Sequence, residues 1–262
     1  MGKHRAIFAD EFGRPRALFG CGICSGSPRM AELAARVGFD VVWIDMEHTS
    51  FDLAGAEAAC VAVEAAGAIP LVRTTGWRRE HLLQALEVGA SILVAPLVND
   101  AAAAREMVLH GKFPPIGRRG YNTRSRGMGY GLEPPPAIME RANEETWLFP
   151  QVETREAAKN LDEILRVEGI AGIFVGPGDL SADLGRPGDF SDPELNDIVR
   201  RCVAAARTAG LHAGILVGEG TLLETALDAG ADLCVIASDF SPAIDAWRKQ
   251  LQHFKPRSLQ HG

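Results

Sequence analysis

The sequence lacks any long hydrophobic run. No stretch of its 262 residues approaches the roughly 20 consecutive apolar residues that a membrane-spanning helix needs. The first residues, MGKHRAIFADEFGRPR, also lack the apolar core of a secretion signal. We therefore expect a cytoplasmic protein that contacts no membrane.

Concentrated positive charge is also scarce. The formal net charge is −7 at pH 7 and the pI is near 5.5. Nucleic-acid binding needs clustered lysine and arginine to neutralise phosphates. The composition therefore argues against a nucleic-acid binder and favours small-molecule partners. The small basic cluster that does exist consists of Arg118, Arg119, Arg124 and Arg126.

Cysteines are few and odd in number: Cys21, Cys24, Cys60, Cys202 and Cys234. Cytosolic thiols normally stay reduced. Cys21 and Cys24 have the C-x-x-C spacing that redox and metal sites use. However, they lie in the apolar run ALFGCGIC, and no second pair of cysteine or histidine ligands follows. We predict that both side chains serve only in packing.

The sequence is rich in one alternation. Helix-like segments end at a glycine and short apolar runs follow, as in VGFDVVWID, VGASILVAP and DAGADLCVIA. Glycine is a typical helix stop, and strands that are apolar on both faces are typical of a parallel sheet. The count predicts a (β/α)8 barrel, although an open doubly wound sheet gives the same local pattern. The eight predicted strands cover residues 17–23, 40–45, 69–73, 91–95, 147–152, 171–175, 212–217 and 232–236.

Residues 112–146 interrupt this alternation. They are rich in glycine, proline and arginine, and they include one short helical stretch, AIMERAN. A long loop of this kind inside a compact domain is usually functional or disordered. No linker divides the chain, so we predict a single domain over residues 1–262 that ends with a helix near 241–253.

Polar side chains follow four of the predicted strands. Active sites of (β/α)8 barrels lie at the carboxyl ends of the strands, where an unpaired charge would be costly. We therefore predict the functional site at this rim. Its candidate residues are Asp45, Glu47 and His48 after the second strand, Arg73 after the third, Gln151 and Glu153 after the fifth, and Gly178 and Asp179 after the sixth.

Each candidate also has a structural explanation when it is taken alone. Glu153 or Asp179 could cap the next helix, Arg73 could be a salt-bridge partner, and His48 could have no catalytic role. Four polar strand ends on one rim would then be a coincidence, so the joint pattern favours a site.

Glu153 and Asp179 would repel each other unless a cation or a proton lay between them. Mg²⁺ binds through one or two carboxylates and completes its coordination with water and substrate oxygens. A 2-oxo acid offers two such oxygens, from its carboxylate and its ketone. The pattern therefore favours a divalent-metal site that takes a 2-oxo acid.

The remaining polar residues suit the chemistry of such a substrate. Arg73 could bind its carboxylate or ketone oxygen. His48 could act as a general acid or base near neutral pH, with Asp45 or Glu47 orienting it.

The positions of the lysines bear on how such a 2-oxo acid would be activated. Activation of the ketone as a Schiff base needs a lysine amine inside the barrel. None of the five lysines lies in a predicted strand, so the metal route is favoured. They are Lys3, Lys112, Lys159, Lys249 and Lys255.

The chain resembles the HpcH/HpaI aldolases, class II pyruvate aldolases of the 4-hydroxy-2-oxoheptanedioate and 2-dehydro-3-deoxyglucarate aldolase type. The resemblance runs from about Phe19 to Ile236. It implies a (β/α)8 barrel of the phosphoenolpyruvate/pyruvate-binding type that reversibly cleaves a 4-hydroxy-2-oxo acid into pyruvate, or a related 2-oxo acid, and an aldehyde. It rests on IDMEH at 44–48, PLVR at 70–73, PPIGRRG at 114–120, QVET at 151–154 and GPGDLSADLG at 176–185.

The resemblance also implies roles for individual residues. Mg²⁺, Mn²⁺ or Co²⁺ would be bound by Glu153 and Asp179, and His48 would move protons through a metal-bound water. Trimers or hexamers that exchange the C-terminal helix are expected. The other implied roles are pyruvate binding and enolate stabilisation by Arg73, substrate contact by Gln151, Asp179 and the Gly178 amide, and support of His48 by Glu87 and Asp45.

The sequence departs from the family at Met46, Glu87 and Gly178, where Gly, Asp and Ala are common. The 121–133 loop and the LVGEGT segment would shape the aldehyde side. Arg124 and Arg126 could attract an acidic aldehyde there or simply face solvent. The alternatives are a citrate-lyase-like lyase that acts on an acyl-CoA, or a metabolite-binding barrel without activity.

Overall fold

The protein is a closed barrel of eight parallel strands, described by a computed structural model for residues 7–9 and 13–255. Each strand pairs with the next one along the chain, and the last pairs with the first. The predicted (β/α)8 fold is confirmed, because an open sheet would leave two unpaired edges. The rest of the predicted domain, residues 1–6, 10–12 and 256–262, lies outside the described residues. The strands are β1 Leu18–Ile23, β2 Val41–Asp45, β3 Ile69–Arg73, β4 Ile92–Ala95, β5 Trp147–Val152, β6 Gly172–Val175, β7 His212–Leu216 and β8 Leu233–Ser238.

The helices end where the sequence pattern placed their stops. After α1, Gly38 has a φ of 114°, and its N–H donates to the carbonyls of Ala34 and Ala35. Such a left-handed residue satisfies the last carbonyls of a helix, and glycine adopts it without strain. The helices are α1 Pro28–Val37, α2 Leu53–Ala65, α3 Arg79–Glu87, α4 Ala101–Gly111, α5 Pro135–Glu145, α6 Arg155–Lys159, α7 Leu161–Leu165, α8 Pro177–Asp183, α9 Pro193–Thr208, α10 Thr221–Asp228 and α11 Phe240–Phe254.

Strand side chains alternate between two apolar layers. Trp43, Leu71 and Phe149 point into the barrel, whereas Val42 and Val72 pack outward against the helices. Because the side-chain period of a strand is two residues, this alternation also fixes which later residues point inward. The barrel interior is therefore a packed core, and its next inward layer lies at the carboxyl ends of the strands.

The 112–146 segment packs against the outer helices, and part of it lies beside the amino-terminal ends of the strands. It contains a short run of tight turns at Arg126–Gly131 and the predicted extra helix, which is α5. Arg126 donates to Glu64 at 2.7 Å, near the end of α2. Because α2 leads into β3, its end lies beside the start of that strand. The turns at Arg126–Gly131 are thus at the opposite end of the barrel from the predicted site.

The final helix, α11, corresponds to the predicted C-terminal helix, and none of its residues is buried within the chain. Its exposed apolar side chains include Trp247, which is 68% exposed. Over residues 7–9 and 13–255, no helix is long and apolar enough to cross a membrane.

Candidate active site

The carboxyl end of the barrel brings four predicted residues into one inward-facing layer. Asp45 lies two residues after Trp43, Arg73 two after Leu71, and Gln151 and Glu153 two and four after Phe149. All four are buried, with at most 8% of each residue exposed. Alternation along the strands therefore carries these polar side chains into the barrel mouth, directly above its apolar core.

Arg73 and Asp45 form a two-pronged ion pair between neighbouring strands. They are direct partners in the β2–β3 register. Nε and Nη2 of Arg73 donate to the two Asp45 oxygens at 2.9 and 2.5 Å, and the guanidinium lies 5.2 Å from the centre of the Trp43 ring. The salt-bridge interpretation of Arg73 thus holds, but Nη1 is left over for another acidic or anionic partner.

This ion pair sets the charge of both groups. Burial alone would raise the pKa of Asp45, but the Arg73 guanidinium outweighs it and the pKa is lowered. Burial alone would lower the pKa of Arg73. The negative charge of Asp45 outweighs this effect, and the pKa of Arg73 is raised. Both side chains therefore remain ionised at neutral pH.

Asp45 also shapes the turn that carries His48. Its Oδ1 accepts the backbone N–H groups of Glu47 and His48 at 2.9 and 3.4 Å. The His48 side chain is 60% exposed, and its Nε2 lies 3.7 Å from Oε2 of Glu47. That same oxygen is 3.3 Å from Nη1 of Arg73 and accepts no hydrogen bond. Glu47 therefore lies between the histidine and the arginine, so its position is more central than the sequence indicated.

Glu153 is the most deeply buried acid of the site. Its Oε1 accepts the backbone N–H of Leu97 at 2.6 Å, and its Oε2 accepts Nε2 of Gln151 at 2.6 Å. Gly176 makes this packing possible, because a Cβ at that position would lie 2.5 Å from Nε2 of Gln151. The adjacent helix cap is Thr154, so Glu153 is not the helix cap that the alternative interpretation required.

Asp179 and Gly178 lie in the first turn of α8, beside the end of β6. Both are exposed, and the N-cap residue is Gly176, so Asp179 provides no side-chain cap. Backbone N–H groups in the first turn of a helix lack partners within the helix. The Gly178 amide is one of these groups.

Burial and two acidic neighbours disfavour the charged form of Glu153. Burial is the main reason that its pKa rises to about 7 from an ordinary 4.5; Asp179 and Glu47 add to this, while the Leu97 amide opposes it. Burial also raises the pKa of Glu47. A divalent cation would supply the positive charge that these carboxylates lack.

The donor set fits such a cation, with few protein ligands. The described residues contain no cluster of three or more His, Cys, Asp or Glu side chains able to hold a metal. Two carboxylates completed by water and substrate oxygens are, however, what Mg²⁺ commonly uses. The buried Oε1 of Gln151 and Oε2 of Glu47 also lack hydrogen-bond donors, as expected beside a site that takes a cation or its bound water.

The raised pKa of Glu153 gives a prediction for the metal-free protein. Between pH 4.5 and 7 the folded state binds this proton more tightly than the unfolded state. Stability should therefore fall as pH rises through this window, by about 3 kcal/mol in total. Glu153→Gln should remove this pH-dependent loss of stability. In EDTA, the free energy of unfolding of the variant should therefore exceed that of the wild type at pH 8 but not at pH 4.5.

Urea unfolding at both pH values measures this difference. Glu140→Gln, at an exposed position on α5, is the matched control and should follow the wild type. A Glu153→Gln variant with the same pH dependence as the wild type would show that Glu153 is ionised in the usual range.

Comparison with known proteins agrees with this geometry. The model of the HpcH/HpaI aldolase/citrate lyase family matches residues 19–246. The chain belongs to this family. It is 35% identical to a 2-keto-3-deoxy-L-rhamnonate aldolase of Klebsiella pneumoniae over 94% of this chain and 92% of that protein. The predicted family and the predicted aldolase activity are confirmed.

Solved structures of the family have the same barrel. A HpcH/HpaI aldolase/citrate lyase family protein from Burkholderia cenocepacia superposes with a TM-score of 0.84 at 30% identity, covering 92% of this chain and 95% of that one. A citrate lyase beta subunit from M. tuberculosis has a TM-score of 0.53 at 19% identity, covering 85% of this chain and 92% of that one. The latter likeness shows a shared fold alone.

One residue implied by the family resemblance lies elsewhere. Glu87 is the last residue of α3, so it is beside the start of β4, at the amino-terminal end of the barrel. Its Oε1 is 3.6 Å from Nη2 of the buried Arg119. The expectation that Glu87 supports His48 is therefore wrong within a single chain, where Glu47 is the acid beside the histidine.

The aldehyde-side prediction for the 121–133 loop is also wrong within one chain. Arg126 is paired with Glu64 and Arg124 is exposed, and both belong to the loop beside the amino-terminal ends of the strands. The alternative of a solvent-facing loop applies to Arg124. A Cβ at Gly127 would lie 1.9 Å from the carbonyl oxygen of Leu86, which fixes the loop closely against α3.

Lys112 lies outside the site, and the two cysteines of the C-x-x-C pair differ in burial. Burial lowers the pKa of Lys112 to about 8, a shift that is often catalytic. Its Nζ, however, donates to the carbonyls of Asn143 and Thr146 at the far end of the barrel, which agrees with the exclusion of an imine route. Cys21 is buried as predicted, whereas Cys24 is exposed and does not pack.

Proposed function

We propose that this aldolase cleaves a 4-hydroxy-2-oxo acid into pyruvate and an aldehyde at the carboxyl end of the barrel, with a divalent cation bound by Glu153 and Asp179. The observation that carries the proposal is the buried Glu153 carboxylate, which lies among other acids and is held by two donors. Mg²⁺, Mn²⁺ and Co²⁺ are the expected cations. When bound, such a cation supplies Lewis-acid stabilisation of the negative charge that develops on the ketone oxygen.

The substrate is a 2-keto-3-deoxy sugar acid in this proposal, by similarity to the rhamnonate aldolases. Such an acid carries the 4-hydroxyl group that retro-aldol cleavage requires. For 2-keto-3-deoxy-L-rhamnonate, carbons 1–3 leave as pyruvate and carbons 4–6 as lactaldehyde. The 35% identity over most of both chains favours the monocarboxylic sugar acids over the dicarboxylic substrates of other relatives.

Residues of the rim bind the substrate and position Glu153. Nη1 of Arg73 is the donor not used by Asp45, and it can reach the substrate's ketone oxygen as that oxygen gains charge. The Gly178 amide binds the substrate carboxylate from the first turn of α8. Gln151 fixes Glu153 through its Nε2 and leaves its Oε1 for a donor on the substrate or on bound water.

His48 acts as the general base in this proposal. Its Nε2 takes the proton of the 4-hydroxyl group, the C3–C4 bond breaks, and the electron pair passes to the pyruvate enolate. A proton returned to C3 completes the reaction and releases pyruvate. Glu47, 3.7 Å from Nε2, stabilises the protonated imidazole between these two transfers.

Oligomers built through α11 are part of this proposal. The helix has an apolar side that its own chain leaves uncovered, formed by Phe240, Ile244, Trp247, Leu251 and Phe254. A trimer or hexamer that exchanges this helix would bury it. Trp247→Glu should therefore shift the protein to a smaller species in light scattering after size-exclusion chromatography. Gln250→Glu, on the same exposed helix, is the control, and an unchanged mass for Trp247→Glu would exclude α11 from the interface.

Pyruvate release from defined acids tests the proposed reaction. We expect fastest release from 2-keto-3-deoxy-L-rhamnonate, and slower release from 4-hydroxy-2-oxoheptanedioate and 2-dehydro-3-deoxyglucarate. No pyruvate from any of the three would contradict the proposal. Turnover of an acyl-CoA in their place would favour the citrate-lyase-like alternative.

A further inference from the structure

Leu97 has a strained backbone beside the site. Among the described residues, Leu97 and Tyr130 are the two non-glycine residues with positive φ, at 54° and 56°. A bulky side chain is uncommon in this left-handed region, and such residues occur most often at functional sites. Leu97 follows β4 by two residues, so it lies at the carboxyl end of the barrel.

Packing of the Leu97 side chain itself does not account for this conformation. The Leu97 residue is 53% exposed, so the strained residue buries little of its own apolar side chain. Its effect is on the backbone N–H, which donates to Oε1 of Glu153 at 2.6 Å. The left-handed turn thus aims an amide at the deepest carboxylate of the site.

Neighbouring hydrogen bonds hold the strained turn in place. Oγ1 of Thr154 donates a hydrogen bond to the side-chain oxygen of Asn99 at 2.7 Å. Nδ2 of Asn160 donates another to the backbone carbonyl of Asn99 at 2.9 Å. Thr154 directly follows Glu153, and Asn160 caps the other end of the short helix α6. The loop that carries the Leu97 amide is therefore tied directly to the loop that carries its acceptor.

We propose that Leu97 is a positioning residue for the cation site, an inference that rests on the metal site proposed above. Its amide and Nε2 of Gln151 each hold one oxygen of Glu153 and so fix the plane of the carboxylate. A carboxylate oxygen has two lone pairs, so Oε1 can bind the amide and still serve a cation. Groups that orient a metal ligand in this way typically change metal affinity by about 10- to 100-fold.

Mn²⁺ affinity, measured by calorimetry or electron paramagnetic resonance without substrate, tests this role. Leu97→Val should weaken binding about tenfold or more, because a β-branched residue resists the left-handed conformation and would move the amide. Leu97→Gly should stay within about threefold of the wild type, because glycine adopts this conformation freely and keeps its N–H. Tyr130→Val is the control: it places a β-branched residue at the other left-handed position, at the other end of the barrel, and should leave Mn²⁺ affinity unchanged.

A folded Leu97→Val variant with wild-type Mn²⁺ affinity would overturn the inference. Wild-type protein that binds no Mn²⁺, or a Glu153→Gln variant that binds it normally, would instead overturn the metal site itself and this inference with it. If the valine variant fails to fold, amide hydrogen exchange decides: the Leu97 amide should exchange slowly in the wild type and faster in Glu153→Ala. Equal exchange in both proteins would show that the amide does not hold Glu153.

Discussion

Replacing His48 with alanine should lower kcat by about 10²–10⁴-fold, the usual contribution of a positioned general acid or base. The reason is its location: the imidazole is exposed at the barrel mouth, on a turn that Asp45 fixes through two backbone N–H groups. Pyruvate binding should remain close to that of the wild type, because Arg73, Gln151 and Gly178 are the binding groups in the proposed function. Steady-state cleavage kinetics and competitive inhibition by pyruvate measure the two effects separately.

His110→Ala provides the matched control for this experiment. His110 lies on α4, where its partner is Glu106 at 3.3 Å, outside the barrel mouth. Its loss should leave kcat near the wild-type value. A His48→Ala variant with unchanged kcat would remove His48 from the mechanism and leave the proton transfer to another group.

Arg73→Lys should lower kcat/KM by about 10²–10³-fold, the usual loss when a donor to a developing oxyanion is removed. A lysine keeps the charge but cannot bind both Asp45 oxygens through a planar fork and still present a third nitrogen. It also loses the stacking over Trp43. The loss should therefore appear in kcat as well as in KM, since the donor acts most strongly on the transition state.

Thermal unfolding must accompany the Arg73→Lys kinetics, because Asp45 is buried and depends on the arginine. Arg36→Lys, at an exposed ion pair on α1, should change neither quantity. A folded Arg73→Lys variant with near-normal kcat/KM would show that the guanidinium fork is not needed for the reaction.

The strands could be predicted from the sequence because each is a short, largely apolar run, and several of them lie between a glycine stop and a polar residue. The predicted boundaries match the observed ones within two residues. The rim residues Asp45, Arg73, Gln151 and Glu153 followed from the same pattern, since strand ends in a barrel converge at one face. Packing in register then explains why Asp45 and Arg73 meet.

Other features depend on contacts that sequence spacing does not show. The hydrogen bond from Leu97 to Glu153 joins residues 56 positions apart, and no local pattern indicates a left-handed leucine. The position of Glu87 within one chain is a different case, because a residue that ends a helix and precedes a strand must lie at the amino-terminal end of the barrel. The topology already contained that information.

The 121–133 loop shows the same limit. Its arginines gave a charge pattern, but their partners decide what they do. Arg126 pairs with Glu64, which precedes it by 62 residues, and this pairing fixes the loop to the far end of the barrel. Composition predicted an unusual segment correctly without indicating beside which end of the barrel its arginines would lie.

Metal dependence of pyruvate release tests the central claim most directly. The wild type and Glu153→Gln should be assayed on 2-keto-3-deoxy-L-rhamnonate after EDTA treatment, and again after addition of Mg²⁺, Mn²⁺ or Co²⁺. We predict that EDTA abolishes release by the wild type, that at least one cation restores it, and that Glu153→Gln stays inactive throughout. Undiminished release in EDTA, or full activity of Glu153→Gln, would contradict a cation site at Glu153 and Asp179.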